Sequence, residues 1–203
     1  MDRNIELENF WKVWRVCLEL VKDRNFQYDE AYNKVGIEEF KYILNNNLFE
    51  IFAKDSNRMI YIKLIKNSKI KTANLKEILE EIKKKTDLKL EIIFILTNKP
   101  NSTIKKLEND KSEEIDSLQI NCYKSLLFNP TRHILVPKHT RLTAEETNEL
   151  LETYSLSNKP QLPIILKEDP IVRYYNFKVG DVLKIEKTKG ISNLNYNNYR
   201  YVR

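Results

Sequence analysis

The residues of this chain that are best suited to chemistry are two histidines, two cysteines and a few acids inside apolar segments. His133 and His139 stand on either side of Pro137, and Cys17 and Cys122 lie far from them and from each other. A zinc site needs about four clustered ligands, and a disulfide framework needs regularly spaced cysteines. The sequence has neither pattern. We therefore expect no metal, no cofactor, and an ordinary hydrogen bond for each histidine.

Catalysis by a cysteine or by metal ions would need further groups beside these residues. Cys17 falls on the apolar face of a predicted helix and Cys122 in a predicted strand, so both thiols are expected to be buried and without an activating base. A two-metal nuclease needs converging carboxylates. The apolar segment 88–96 offers only Glu91, with no lysine two positions later. A free-standing DNA-binding or nuclease-derived α/β protein therefore stays as the alternative function.

The basic charge of the chain is concentrated in one stretch. The formal net charge is +6, and residues 58–89 contain ten basic and four acidic residues. Such a stretch can bind a polyanion such as DNA, and it can equally be a solvated face without a ligand. The charge alone leaves both interpretations open.

The composition also bears on partners and compartment. With only 3 glycines, the chain has little material for a glycine-rich phosphate-binding loop, and we expect no small-molecule substrate. No apolar run approaches the roughly 20 residues of a membrane span, and the first residues are polar and lack the apolar core of a signal peptide. We therefore expect an intracellular protein with no membrane partner.

Residues 1–130 are predicted to form an α/β domain with a mixed sheet and covering helices. The spacing of Trp11, Trp14 and Cys17 predicts one apolar helical face whose tryptophans pack in the core. A helix between two apolar strands, over roughly 35 residues, is typical of a parallel βαβ unit. The polar segment 97–116 is expected to be a loop or a loose helix. The predicted elements are helices at 5–24, 36–45 and 75–85, the last capped by Asn74, a strand hairpin at 48–53 and 59–65, and strands at 88–96 and 118–123.

Residues 131–203 change character and are predicted to form a small α+β domain. The run Thr143–Glu146 is a capping box that opens a helix ending near residue 154. Asp169 directly before Pro170 predicts the start of a short helix, and Asn176 is suited to end that helix in the left-handed conformation. Two strands are predicted at 179–187 and 198–203.

The same C-terminal third contains several distinctive phrases in a fixed order. They are His133–His139, Glu149–Leu151 with Tyr154, Gln161–Pro163, Asp169–Tyr175, Gly180–Ile185 and Tyr199–Val202. Together they resemble the assembly domain of the fifth subunit shared by the eukaryotic DNA-directed RNA polymerases, a domain that also forms the archaeal counterpart. Trp14-Arg15 and Asp23–Phe26 look like the first helix and its exit in the eukaryotic form, which adds an N-terminal jaw domain.

The chain departs from the family pattern in two loops. The family's Arg-x-Ser-x-Thr-x-Gly hairpin is not reproduced by Lys187–Asn195, and Thr97–Thr103 stands where the jaw has a Thr-Pro-Ser motif. A divergent copy rich in Asn, Ile and Lys fits a large DNA virus that encodes its own polymerase. The expected location is the virion and host cytoplasm for a viral protein, and the nucleus for a cellular one.

The resemblance implies a non-catalytic polymerase subunit without an active site. Its C-terminal domain would dock on the largest subunit near the small omega-like subunit, and its jaw would reach toward downstream DNA. Lys99, Lys105 and Lys106 are the first candidates for DNA contact, and the lysines at 83–85 are the second. One of the two adjacent tyrosines at 174 and 175 is expected to point inward and the other outward. The candidate partner-binding residues are His133, Pro137, Lys138, His139, Asp169, Pro170, Arg173, Tyr174, Tyr175 and Arg200.

Overall fold

Two separate cores divide the chain between residues 129 and 130. The computed structural model describes residues 3–66, 70–109, 113–189 and 194–203. It separates a first unit, Met1–Asn129, from a second unit, Pro130–Arg203. Within the described ranges, no helix is both long enough and apolar enough to cross a bilayer.

The first unit is built on a five-stranded mixed sheet with the order β1-β2-β3-β4-β5. The strand β4 is central in the parallel part and buried on both faces, which explains its nearly continuous apolar sequence. β1 and β3 each pair with β2 in the antiparallel sense, whereas β4 pairs in parallel with both β3 and β5. The strands are β1 (Gln27–Tyr28), β2 (Glu50–Lys54), β3 (Arg58–Ile65), β4 (Lys89–Leu96) and β5 (Ile115–Cys122).

Helices cover this sheet and close its core. Trp14 is fully buried and packs its ring against Phe49, with centroids 5.0 Å apart, and against Phe40, at 5.7 Å. The apolar side chains of α4 lie in a further cluster with residues of β3, β4 and β5. The predicted core role of the tryptophan face is confirmed for Trp14, while Trp11 is half-buried. The helices are α1 (Arg3–Asp23), α2 (Ala31–Lys34), α3 (Ile37–Asn45), α4 (Thr72–Lys83) and α5 (Ser102–Lys106).

Most predicted elements of the first unit are present, and the differences have physical causes. The helix α4 begins at Thr72 after an extended Lys71, so the predicted cap at Asn74 is wrong. A side-chain N-cap is found instead at the next helix, α5, where the Asn101 side chain accepts from the Ile104 amide at 2.8 Å. That cap orders part of the polar segment in which only a loop or a loose helix was expected. The two-residue strand β1 was not predicted, because so short a segment has no periodicity to read.

The second unit holds a four-stranded sheet with the order β6-β8-β9-β7. β8 pairs antiparallel with β6 and β9, and β7 pairs in parallel with β9. Its helices pack apolar side chains such as Leu150 and Val172 into two small clusters. The Lys187–Asn195 loop noted in the sequence lies partly outside the described residues, which resume at 194. The elements are β6 (Lys138–Arg141), α6 (Ala144–Thr153), β7 (Ile164–Ile165), α7 (Pro170–Tyr175), β8 (Val182–Lys189) and β9 (Leu194–Val202).

The predicted helix ends of this unit are confirmed in detail. Thr143 accepts from the Glu146 amide at 3.2 Å while the Glu146 carboxylate accepts from the Thr143 amide at 2.8 Å, which completes the capping box. Asn176 has φ 57° and ψ 37°, the left-handed conformation in which it ends α7. Asparagine tolerates this region better than most residues, so it serves where glycine is the usual choice.

Replacing Asp169 by alanine is expected to loosen the start of α7. The Asp169 carboxylate accepts from the Ile171 amide at 2.8 Å and stands before a proline at the first helical position. Loss of such a cap costs about 1 kcal/mol, so hydrogen exchange of the Ile171 and Val172 amides should accelerate roughly fivefold. The matched control is Glu168→Ala, an exposed neighbour. Equal exchange in both variants would contradict the capping role.

Candidate functional site

The short helix α7 carries four of the candidate partner residues, Pro170, Arg173, Tyr174 and Tyr175. Tyr174 is buried, and its ring meets Tyr175 edge-on with centroids 5.2 Å apart. Tyr175 is half-buried and stacks on Phe177 at 5.3 Å. The inward tyrosine is therefore confirmed, whereas the second is only partly outward because Phe177 holds it. Arg173 is half-exposed on the same helix.

His133 shapes a turn in front of β6. Its carbonyl accepts from the Val136 amide at 2.8 Å, and its ring Nδ1 accepts from the Leu135 amide at 3.2 Å. An accepting Nδ1 carries no proton, so the neutral ring is protonated on Nε2. The tip of this turn, Ile134 and Leu135, is open to solvent. The apolar run Ile134–Val136 suits a strand or a docking segment by sequence, and the structure places its first two residues in an exposed turn.

His139 is held by the chain that precedes it. Its Nδ1 lies 2.7 Å from the Pro137 carbonyl oxygen. A carbonyl can only accept, so this nitrogen carries the proton. The ordinary hydrogen bonds expected for both histidines are confirmed. Among the described residues, no three His, Cys, Asp or Glu side chains group in a way that could hold a metal ion.

The structure brings some candidate partner residues together and separates others. The single helical turn at Pro130–Arg132 contacts α7, so the segment that leads into the His133 turn is a neighbour of the helix carrying Arg173. Lys138 and His139 lie on β6, at one edge of the sheet. Arg200 lies on β9 beside the other edge, where its guanidinium donates to the Ile164 carbonyl at 2.8 Å. The ten candidates therefore do not form one continuous patch along the sheet.

A groove beside Arg200 is lined by residues from several of the segments that resemble the family. Its volume is about 440 Å³. Tyr154 stands at one side with its ring 6.1 Å from that of Tyr199. Segments far apart in sequence thus converge here. The lining residues are Tyr154, Leu156, Gln161, Leu162, Pro163, Asn197, Asn198, Tyr199 and Arg200.

In the first unit, the candidate DNA lysines lie where the parallel strands end. Ile65 pairs with Leu96 and Leu96 with Cys122, so β3, β4 and β5 all finish in one row. We call this side of the sheet the carboxyl edge. Neighbouring strands are about 4.8 Å apart, so the three ends span about 10 Å. The exposed lysines in the segments that leave this edge are Lys71, Lys99, Lys105, Lys106 and Lys124.

The helical turns that start at the carboxyl edge are free of acids, whereas Glu108, further along the segment 97–109, is half-buried and accepts from the Ile120 amide at 2.6 Å. The first turns of α4 and α5, and of the 3-10 helix after β5, contain no acidic residue. Lys66 also leaves this edge, but its amino group donates to the Leu44 carbonyl at the end of α3, and desolvation lowers its pKa. The remaining lysines, the Asn101 cap and the start of α4 give this edge a positive potential.

The second candidate cluster, Lys83–Lys85, lies on the opposite side of the sheet. The crossover helix α4 runs back from the carboxyl edge, so its end stands near the starts of β4 and β5, which we call the amino edge. Acids share this edge. Lys83 contacts Glu80 at 2.9 Å and Glu114 at 3.8 Å. The structure therefore places the two candidate lysine clusters at opposite edges of the sheet, and Lys83 is paired with acids at the amino edge.

Glu91, the one acid of the central strand, is the centre of a buried ion network. Its side chain is 2% exposed, and its two oxygens accept from Arg24 at 2.9 Å and from Arg58 at 3.1 Å. Arg24 also donates to Gln119 at 3.2 Å, and Arg58 reaches Asp55 at 3.1 Å. The Ser56 amide and then Arg58 lower the pKa of Asp55.

This network removes Glu91 from consideration as a metal ligand. Both carboxylate oxygens already face arginines, and the group has almost no solvent access. The thiols fit the same picture. Burial raises the pKa of Cys17 to about 12, while Cys122 is half-buried, less than expected, with its sulfur 3.9 Å from the Thr97 carbonyl. A thiol with a raised pKa is a poor nucleophile.

Comparison with known proteins places the chain in a class of transcription subunits. Residues 128–202 match the family model described as RNA polymerase Rpb5, C-terminal domain. The "DNA-directed RNA polymerases I, II, and III subunit rpabc1" of Dictyostelium discoideum is 28% identical over 183 residues, covering 89% of this chain and 90% of the relative. The "DNA-directed RNA polymerases IV and V subunit 5B" of Arabidopsis thaliana is 25% identical over 191 residues, covering 90% and 84%.

A third relative extends the match to nearly the whole chain. The "DNA-directed RNA polymerase subunit 5-like protein 1" of Arabidopsis thaliana is 27% identical over 210 residues, covering 98% of each protein. The resemblance found in the sequence is confirmed: residues 128–202 match the Rpb5 C-terminal domain, and most of the chain is similar to subunit 5 of RNA polymerases. Proteins of this type are structural subunits of RNA polymerase and not catalytic ones, so the expectation of a non-enzyme is also confirmed.

Proposed function

We propose that this chain is a non-catalytic subunit of a multi-subunit DNA-dependent RNA polymerase, docked through its second unit on the largest subunit. The match of residues 128–202 to the Rpb5 C-terminal domain carries the proposal. The omega-like small subunit is the second proposed neighbour. The ordered helix α7, with Arg173 and Tyr175 partly exposed, supports a docking role because arginine and tyrosine are enriched where protein interfaces are strongest.

We further propose that the first unit serves as a jaw whose carboxyl edge faces downstream DNA. Lys99, Lys105 and Lys106 would contact phosphates there, independently of base sequence. The absence of acids from the first helical turns at this edge supports the assignment. The mixed charges around Lys83–Lys85 favour the carboxyl edge over that cluster.

Replacing Arg173 and Tyr175 together by alanine is expected to release the chain from the polymerase. Both side chains are partly exposed on α7, and Tyr174, which anchors the helix in the core, is left in place. Truncating two interface anchors costs about 2–4 kcal/mol, or on the order of 100-fold in affinity. Quantitative mass spectrometry of the affinity-purified chain would measure the recovered largest subunit.

The control for this test replaces the same residue types at other positions of the second unit. Arg203→Ala with Tyr196→Ala removes another exposed arginine and tyrosine from the second unit. Circular dichroism of the isolated variants should show a retained fold. Full recovery of the largest subunit by the Arg173/Tyr175 variant would remove α7 from the interface, and a wild-type chain that brings down no polymerase would overturn the proposed function.

The source of the protein remains a prediction from its composition. The relatives from Arabidopsis and Dictyostelium are subunits of cellular polymerases. We propose a nuclear location if the chain is cellular, and the virion and host cytoplasm if a large DNA virus encodes it. Proteomic analysis of purified virions, compared with nuclei of uninfected cells, would decide between the two.

A further inference from the structure

The turn in front of β6 presents the most exposed large apolar side chains of the described residues. Ile134 is 95% exposed and Leu135 is 81% exposed. We call these two residues the apolar tip. Isolated apolar residues are common on protein surfaces, but two adjacent large ones at such exposure are costly to keep in water without a partner.

The apolar tip is ordered and not a loose loop end. The carbonyl and the ring of His133 accept from the Val136 and Leu135 amides, at 2.8 and 3.2 Å. On one side, the Pro130–Arg132 turn contacts α7, and on the other side β6 is paired with β8. A turn held at both ends loses little conformational freedom on binding, so its apolar side chains can contribute nearly their full burial energy.

The charges around the apolar tip indicate the kind of surface that covers it. Residues 130–142 contain three basic residues and no acid. Lys138 and Arg141 are exposed, and their contacts with the carboxylates of Glu186 and Asp181 are both at 3.9 Å, a distance at which exposed pairs are weak. An apolar pocket bordered by carboxylates is the complementary surface.

We propose that the apolar tip is an anchor that inserts into an acid-bordered apolar pocket on the largest polymerase subunit. This inference rests on the proposed function and gives a docking role to Ile134 and Leu135, which belong to the phrase His133–His139 but are not among the ten candidate partner residues. Ile134 and Leu135 fill the pocket, His133 holds the turn in shape as a positioning residue, and Lys138 and Arg141 pair with the rim.

The test is co-purification of this chain with the largest polymerase subunit of the same source, after the two proteins are expressed together. Ile134→Ser with Leu135→Ser should lower the recovered largest subunit at least tenfold, because each buried apolar side chain contributes about a factor of ten or more. Lys138→Gln with Arg141→Gln should also lower recovery, and more strongly at low salt. Thermal melting of both isolated variants should match wild type, since the altered side chains are exposed.

The second unit offers a matched control. Leu166 and Val179 are each 59% exposed and are replaced by serine in the same way. Full recovery with this control, together with loss for the tip variant, supports the anchor. If the tip variant recovers as much largest subunit as the wild type, or if the control loses as much as the tip variant, the anchor is overturned. The proposed function stands in both cases.

Two further outcomes have distinct meanings. A wild-type chain that recovers no largest subunit overturns the proposed function itself. Light scattering of the isolated chain tests whether a second copy of the chain covers the apolar tip instead. A wild-type dimer that becomes monomeric with Ile134→Ser and Leu135→Ser would assign the apolar tip to self-association and overturn the inference.

Discussion

Replacing Glu91 by leucine is expected to destabilise the first unit by about 3–5 kcal/mol, a large share of the 5–15 kcal/mol that holds a typical domain together. The loss follows from what is left behind. Arg24 is buried, with only 3% of its side chain exposed, and would keep its charge without its carboxylate partner. Arg58 is 37% exposed and can turn toward water. The unfavourable energy therefore comes mainly from Arg24.

Tryptophan fluorescence reports this unfolding directly. The chain has 2 tryptophans, and both lie in α1 of the first unit. A urea titration followed at their emission should show an earlier midpoint for Glu91→Leu with little change in slope. Glu80→Leu is the control, since Glu80 is an exposed carboxylate that pairs with Lys83 at 2.9 Å in the same unit. The control should cost less than about 1 kcal/mol.

A compensated variant tests the cause of the loss. Arg24→Met and Gln119→Leu, added to Glu91→Leu, replace the buried polar groups together. Buried ion pairs can often be exchanged for apolar side chains at little cost, so most of the lost stability should return. A compensated variant no more stable than Glu91→Leu would show that the unpaired Arg24 is not the cause. Unchanged stability of Glu91→Leu, with loss of Mg²⁺-dependent cleavage, would revive the nuclease alternative.

The sequence predicted the parts of the fold that rest on local chemistry. The alternation and β-branching of the hairpin, the apolar run of β4 and the capping box at Thr143 each gave an element that the structure contains. Asn176 was predicted in the left-handed conformation because so few residues adopt it after a helix. These signals lie within a few residues of one another and need no tertiary information.

The ion network and the exposure of the apolar tip could not be predicted from local sequence signals. Arg24 and Glu91 are separated by 67 positions, and only the tertiary fold brings the turn after α1 to β4, where their side chains lie 2.9 Å apart. Glu91 in a buried strand was a signal that it needed a partner, but the sequence does not say which of many cations supplies it. Ile134 and Leu135 read as an ordinary apolar run, and their exposure emerges only from the turn that His133 shapes.

The separation of the two lysine clusters also depends on topology. Lys71, Lys99 and Lys124 come from segments far apart in sequence, and the parallel register places all three at the carboxyl edge. Lys83–Lys85 seemed equivalent in charge, but the crossover helix carries them to the amino edge. A count of charges along the chain therefore overstates the surface that can face one DNA duplex.

Replacing Lys99, Lys105 and Lys106 together by alanine is expected to weaken DNA binding on the order of 100-fold at low salt. Each lysine that neutralises a phosphate contributes a slope of about −0.9 in log K against log salt, so the variant should lose about three units of slope. Because the wild type has the steeper slope, its advantage should shrink as salt rises. Fluorescence anisotropy of a labelled duplex of random sequence would give both quantities for the isolated chain.

The control removes the same charge from the other edge of the sheet. Lys84→Ala, Lys85→Ala and Lys89→Ala take three exposed lysines from the amino edge, so both variants have the same net charge. If binding follows net charge alone, the two variants will lose slope equally, and the carboxyl edge will have no special role. If binding needs an edge that bears cations without acids, only the carboxyl-edge variant will lose it. Retention of the duplex by the assembled polymerase should then rank the two variants in the same order, because phosphate contacts persist when the second unit is docked.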